Sequence, residues 1–201
     1  MKSTLKEILE TVLMALAIFL LLQTSVMGFI VDGSSMEPNL HTGQRLLVNK
    51  AVYFRTVIPV IQRMMPFLKQ EGEVSYFVHP PQRGEVILFY FPRDTRQIYI
   101  KRVIGLPGET VELRGGEVYI NGHQIQEPGT MPQARSPFGP ITVPPNQYFV
   151  LGDNRNGSSD SRGGWTVPYN NVIGKAWLVY GRPWEWGAAP NFDLPLAQAS
   201  K

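Results

Sequence analysis

The chain has 201 residues, with 19 lysines and arginines against 16 aspartates and glutamates, a net charge of +3 with neutral histidines. That charge is too mild to argue for a nucleic-acid partner. No cysteine is present, so disulfides, thiol nucleophiles, iron–sulfur clusters and thiolate zinc sites are excluded. His41, His79 and His123 lie too far apart in sequence for a metal-ligand spacing, so neither a metal nor a cofactor is expected.

Val12 to Val31 is 20 residues without a charge, about the length a helix needs to cross a bilayer. Gln23, Thr24 and Ser25 give its second half a polar side. Lys2 and Lys6 precede the run, and no lysine or arginine follows until Arg45. This asymmetry predicts a cytoplasmic N-terminus and a single pass, with the bulk of the chain on the trans side: periplasm, thylakoid lumen or cell exterior. The run is long for a cleaved signal, and Val26-Met27-Gly28-Phe29 lacks an Ala-x-Ala-like cleavage site. Residues 1–31 therefore read as a cytoplasmic N-terminus and an uncleaved anchor. Lys2 and Lys6 cancel Glu7 and Glu10, so residues 32–201 carry the whole net charge. They suit one exported domain, whose mild positive charge fits a surface near anionic lipid.

Ser35 follows the apolar run by only four residues, in Gly33-Ser34-Ser35-Met36-Glu37-Pro38. A candidate nucleophile placed there predicts a substrate that is in, or just leaving, the membrane. The texture beyond it is β. Arg45–Val48 and Glu85–Phe91 are short runs rich in β-formers, and Gln97–Ile104 alternates as a half-buried strand does. Val111–Leu113 and Val118–Ile120 flank Arg114-Gly115-Gly116-Glu117, a hairpin signal, and Asn121-Gly122 offers another tight turn. Gln147–Leu151 and Val172–Tyr180 read as later strands. The prediction is a mainly β protein: one N-terminal transmembrane helix, then an all-β catalytic domain of coiled antiparallel sheets.

Two stretches look inserted. Residues 51–81 are apolar with basic residues between. They either dip into the bilayer surface, through Phe54, Ile58, Ile61, Met65 and Phe67, or cover the core; both readings stand. Residues 108–140 form a candidate non-catalytic β extension, in which Gly129–Pro140 reads as a Pro-rich surface loop. The tail from Arg182 carries Trp184 and Trp186 and then small and polar residues, with a frayed end.

A serine hydroxyl needs a neighbouring base to take its proton. With no suitable histidine motif, Lys101 stands out, on a strand with apolar neighbours. It serves as a base only when neutral, so burial must lower its pKa. Strand alternation turns Arg102 to the opposite face, charged and outside the site. Gly152-Asp153-Asn154-Arg155-Asn156-Gly157-Ser158-Ser159-Asp160-Ser161-Arg162 is a loop by composition. In it Asp160 and Arg162 are placed to pair, and a hydroxyl such as Ser158 to orient the lysine amine.

Together these residues resemble the type I signal peptidases (leader peptidases), of the compact single-anchor bacterial, cyanobacterial and thylakoidal kind. The match runs through Ser35 to Pro38, Arg83-Gly84-Glu85-Val86-Ile87, Lys101 to Gly108, and Gly152 through Arg162, in the family's order. The resemblance implies a Ser–Lys dyad endopeptidase that removes N-terminal signal peptides from exported preproteins after small residues, typically Ala-x-Ala. It implies Ser35 as nucleophile, Lys101 as general base and Ser158 as the residue that positions the lysine. Asp153, Arg102, Asp160 and Arg162 match supporting positions, with Asp160–Arg162 the favoured ion pair. Some members carry a hydroxyl two residues before the nucleophile to help hold the oxyanion; here that position is Gly33. Ser34 is the nearest decoy for the nucleophile. Signal peptides, membrane lipid and the export translocon are the expected partners. Two rival readings are a Ser–Lys self-cleaving regulator, which would need a DNA-binding arm in place of the anchor, and a non-catalytic anchored β-module that binds exported proteins.

Overall fold

The computed structural model describes residues 2–53, 79–127, 137–181 and 183–195. The chain opens on helix α1 (Lys2–Ser25), which has neither glycine nor proline to interrupt it. Its segment Lys6–Ser25, with a mean hydropathy of 2.0, is long and apolar enough to cross a membrane. Ile8, Leu9, Leu13, Leu16 and Phe19 are all exposed on it. A helix whose apolar side chains stand exposed among the described residues fits a membrane anchor, not a core element.

The helix stops at Ser25, short of the predicted Val31. Val26–Ile30 instead form strand β1, paired antiparallel with β2 (Arg45–Asn49) from Val26↔Asn49 to Ile30↔Arg45. Apolarity alone does not separate helix from strand, and the pairing partner lies outside the run. Ser35 therefore follows the helix by a strand and a turn.

Ten more strands complete the described fold: β3 (Val86–Phe91), β4 (Asp94–Gly105), β5 (Thr110–Arg114), β6 (Glu117–Ile120), β7 (His123–Gln124), β8 (Phe138–Thr142), β9 (Gln147–Leu151), β10 (Val167–Pro168), β11 (Val172–Tyr180) and β12 (Gly187–Ala188). The main sheet runs β1-β2-β11-β3-β4-β9-β10, with β12 added to β11. A smaller sheet runs β7-β6-β5-β8. Every pairing is antiparallel. The β5–β6 hairpin forms as its glycines predict, and Asn121 and Gly122 both adopt positive φ in the β6–β7 turn. The predicted loop 129–140 yields to strand β8 from Phe138, because its apolar residues pair with β5; residues 128–136 lie outside the described set.

Strand β4 sets the site. Its first half is exposed or half-buried, but from Ile100 to Gly105 every residue is buried. That corrects the half-buried reading. Pairing with β3 on one side and β9 on the other places β4 inside the sheet, and both of its faces are covered. Val86, Leu88 and Ile100 pack with Val31, Met36 and Leu40, while Ile87, Phe89 and Val103 pack with Tyr148, Val150 and Trp165. Met36 and Leu40 are fully buried. Each such side chain contributes about 1.5–3 kcal/mol, which fastens the turn around Ser35 to the core.

The small sheet closes a further core of Val111, Leu113, Val118 and Ile120 against Ile104 and Phe149. Part of the tail packs on the domain: Leu194 enters this core, and Asn191 Oδ1 accepts from the Val86 N–H at 2.8 Å. Residues 196–201 lie outside the described set. So do residues 54–78, with the membrane-dipping candidates Phe54, Ile58, Ile61, Met65 and Phe67. At the base of that span, buried Glu85 accepts from Tyr53 Oη, from Lys175 Nζ at 2.5 Å and from the Gln82 N–H at 2.9 Å.

Candidate active site

Register brings the predicted groups together. Lys101 pairs with Ile87 of β3, and its neighbour Arg102 pairs with Leu151 at the end of β9. The chain leaving Leu151 is the polar loop 152–162, so the loop is delivered beside β4. The turn bearing Ser35 arrives from β1 at the other side. Lys101 Nζ lies 2.7 Å from Ser35 Oγ. It also donates to the Ile100 carbonyl at 2.9 Å and stands 5.5 Å from the centre of the Tyr99 ring.

Lys101 is only 4 % exposed. Burial pushes its amine down from the ordinary 10.5 to about 8, while the charges of Asp160 and Asp153 pull the other way. Neither carboxylate is spent on the amine. Arg102 Nε and Nη2 bind the Asp153 oxygens at 2.8 and 2.6 Å, and Arg162 Nε and Nη2 bind those of Asp160 at 2.8 Å each. With both acids paired to arginines, Lys101 has no salt bridge among the described residues. Beside the pair opens a cleft of about 570 Å³, lined by Phe29, Asp32, Gly33, Ser34, Ile98 and Tyr99 among others.

The loop is held tightly. Asp160 Oδ2 accepts from the Gly152 N–H at 3.1 Å, and Ser161 Oγ from the Val150 N–H at 3.0 Å. Arg155 donates to the Gly152 carbonyl at 3.0 Å and pairs with Glu127. The loop in turn grips the serine segment. The Asn154 N–H donates to the Ser35 carbonyl at 3.0 Å, and Asn39 Nδ2 donates to Asp153 at 2.9 Å.

The chain that builds this site has relatives among known proteins. The family model of the signal peptidases, peptidase S26, matches residues 5–184. The chain is 35 % identical over 202 residues to the probable signal peptidase I-1 of Synechocystis, covering 96 % of this chain and 91 % of that one. It is 34 % identical to a signal peptidase I of Bacillus amyloliquefaciens, over 85 % of this chain and 82 % of that one. The chain belongs to the signal peptidase family. A crystal structure of a signal peptidase I from Enterococcus faecalis shares 38 % identity at a TM-score of 0.40, over 48 % of this chain and 97 % of that one.

Membership makes the chain a serine peptidase of the S26 family. Of the residues singled out in the sequence, Ser35 and Lys101 meet directly, and the amine's hydrogen bonds among the described residues go to Ser35 and Ile100, not to Ser34. The Asp160–Arg162 pair forms as expected. Arg102 does lie on the far face from Lys101, but it is fully buried and pairs with Asp153, a partner the sequence does not name. Ser158 departs from expectation. Its Oγ is buried with no hydrogen-bond partner, and the lysine amine takes the Ile100 carbonyl instead. The hydroxyl is packed against Gly152, where even a β-carbon would overlap it. Gly33 has a φ of +84° and open space about its Cα, so no side chain takes the place of the missing hydroxyl. Asn39 and Asn154 escape notice in the sequence. Asparagine in a turn commonly bonds nearby backbone, and partners over a hundred residues away leave no local signal.

Proposed function

We propose that this chain cuts signal peptides from exported preproteins by acyl transfer through Ser35, with Lys101 as general base. The 2.7 Å contact between Ser35 Oγ and the buried Lys101 amine carries the reading. The neutral amine takes the Ser35 proton as Oγ attacks the carbonyl carbon at the cut site. Negative charge builds on the carbonyl oxygen, and the Ser35 N–H, which donates to no group among the described residues, is the donor placed to receive it. The ammonium then returns its proton to the departing amine, which is the N-terminus of the mature protein. Water, deprotonated by the same lysine, attacks the acyl-serine and releases the signal peptide.

Asp153, Arg102, Asp160 and Arg162 hold the loop and the strand in place. Ser158 orients the amine when its hydroxyl turns from Gly152 towards it. That would relieve a buried hydroxyl left without a partner. The preferred substrates carry small residues, of Ala-x-Ala type, before the cut. Helix α1 keeps the peptidase in the membrane with the N-terminus in the cytoplasm, as the early lysines favour, and the chain from β1 onward forms the exported peptidase domain, so the boundary falls after Ser25 and not after Val31. The small sheet, from Thr110 to Thr142 and so slightly beyond the expected 108–140, is a non-catalytic extension, since none of its described residues lines the cleft. Membrane lipid and the export translocon are the surroundings this arrangement suits. Preprotein cleavage in detergent micelles tests the reading. The wild type should release the mature chain, and Ser35→Ala and Lys101→Ala should each stop it without loss of fold. Processing by either variant would overturn the dyad.

A further inference from the structure

The oxyanion donor named above is a backbone N–H, and its direction depends on how one peptide unit is held. That unit joins Ser34 to Ser35. A trans peptide is planar, so its C=O and N–H point to opposite sides. Whatever grips the Ser34 carbonyl therefore aims the Ser35 N–H. Two groups grip it: the Glu37 N–H at 3.1 Å, from within the same turn, and Asn154 Nδ2 at 3.2 Å, from the loop. Asn154 also donates its own N–H to the Ser35 carbonyl at 3.0 Å, so one residue bonds two successive carbonyls of the nucleophile segment. Its Oδ1 accepts from the Gly157 N–H at 3.1 Å, which fixes the amide the right way round to donate.

We infer that Asn154 is a positioning residue that sets the oxyanion donor of Ser35. The inference rests on the proposed role of Ser35. It also suits a site with Gly33 in place of a hydroxyl: the Ser35 N–H is flanked by two carbonyls that Asn154 holds. The side chain makes no hydrogen bond to Lys101 and does not itself line the cleft; it reaches the site through the backbone of Ser34 and Gly157, so its effect belongs to the transition state and not to proton transfer or ground-state binding.

The test uses the full chain in detergent micelles with a preprotein substrate, comparing wild type, Asn154→Ala and Asn154→Asp. The aspartate variant keeps the acceptor for Gly157 but loses the donor to Ser34. Both variants should lower kcat by between about tenfold and a hundredfold, the range of a weakened oxyanion donor. KM should stay within about twofold, and the pH midpoint of Asn154→Ala should match the wild type. The thermal transition should remain in both. A kcat within twofold of wild type in Asn154→Asp overturns the inference, because the Gly157 contact would then be the one that matters. So does a shifted pH midpoint in Asn154→Ala, or a rate loss that tracks unfolding in both variants. Ser35→Ala, run alongside, reports separately on the nucleophile.

Discussion

Arg102 grips Asp153 through two parallel bonds, Nε at 2.8 Å and Nη2 at 2.6 Å, with both side chains wholly removed from water. Its remaining nitrogen, Nη1, donates to the Gly84 and Pro190 carbonyls at 2.7 and 2.6 Å, and the Phe192 ring lies 4.4 Å from its guanidinium carbon. Lys101, the next residue, is buried as well but has no carboxylate partner among the described residues. Two adjacent basic residues on opposite faces of β4 thus have opposite fates. One is kept charged as a structural hub, and the other is held close to losing its proton.

The hub should be costly to break. Arg102→Met leaves the Asp153 charge buried and uncompensated and two carbonyls without a donor. A buried pair broken from one side typically costs about 3–5 kcal/mol. Arg102→Lys should not restore it, because a single ammonium cannot bind both carboxylate oxygens and reach the two carbonyls as the planar fork does. Denaturant unfolding of the three proteins checks this; a loss below about 1 kcal/mol in Arg102→Met would mean that the pair is not structural.

Catalysis should follow the protonation of Lys101. With its pKa lowered to about 8 by burial, the amine is mostly ammonium at pH 7. Well below that value kcat/KM should fall about tenfold for each pH unit, and it should level off above it. The measurement is a pH–rate profile on a preprotein in micelles with chemistry limiting. A flat profile between pH 6 and 9 would exclude this lysine as the base.

Ser35, Lys101 and the 152–162 loop are legible in the sequence because each sits in a run whose residue types the chemistry requires. Their meeting is legible too, through the resemblance. What the sequence does not disclose is long-range. The Arg102–Asp153 pair joins residues 51 apart, and each taken alone reads as a solvated charge. The end of α1 is hidden because Val26 to Ile30 is equally apolar as helix or strand, and β2 decides it from the far side of the serine turn. The double-sided burial of β4 depends on β9 and on the small sheet, which no periodicity within Gln97–Ile104 reports. The fold class survives these misses because strand alternation and turn chemistry are local.

Ser158 offers a graded test of the site. Its hydroxyl has no partner in the resting structure, so Ser158→Ala removes no bond and should leave unfolding within about 0.5 kcal/mol of wild type. If it meets the lysine during the reaction, the variant loses a hydrogen bond to a group that becomes charged, roughly 1.5 kcal/mol or tenfold in rate. That is far short of the loss expected for Lys101→Ala. Single-turnover cleavage separates the cases, and a wild-type rate would remove Ser158 from the site.

The same lysine should leave a mark on stability. Its folded pKa of about 8 lies below the ordinary 10.5, so between these values the unfolded chain binds more protons. Stability therefore rises with pH across this window. Below pH 8 the cost of burying the ammonium is fully present, on the order of 3 kcal/mol for a shift of this size. Lys101→Met removes the cost. The variant should be more stable than wild type at pH 7, and the gap should close as the pH approaches 10.5. Urea unfolding at pH 7 and pH 10 measures it; a gap that stays constant or widens would mean that the amine is not held down by burial.

Gly152 is the position where the loop and the nucleophile leave no room. A β-carbon there would overlap the Ser158 hydroxyl and come within 2.5 Å of both Ser158 Cβ and the Ser35 carbonyl oxygen. Gly152→Ala should therefore cost about 1–3 kcal/mol through overpacking. It should also lower kcat at least tenfold by displacing Ser35 from Lys101, because small misplacements of reacting groups are expensive. The two contacts can be separated. Adding Ser158→Gly removes the clash with the serine side chain but leaves the one with the Ser35 backbone. The double variant should regain part of the lost stability while kcat stays low. If kcat returned as well, beyond what Ser158→Gly alone allows, the pressure would run through Ser158, and Gly152 would matter for loop packing and not for the placement of the nucleophile.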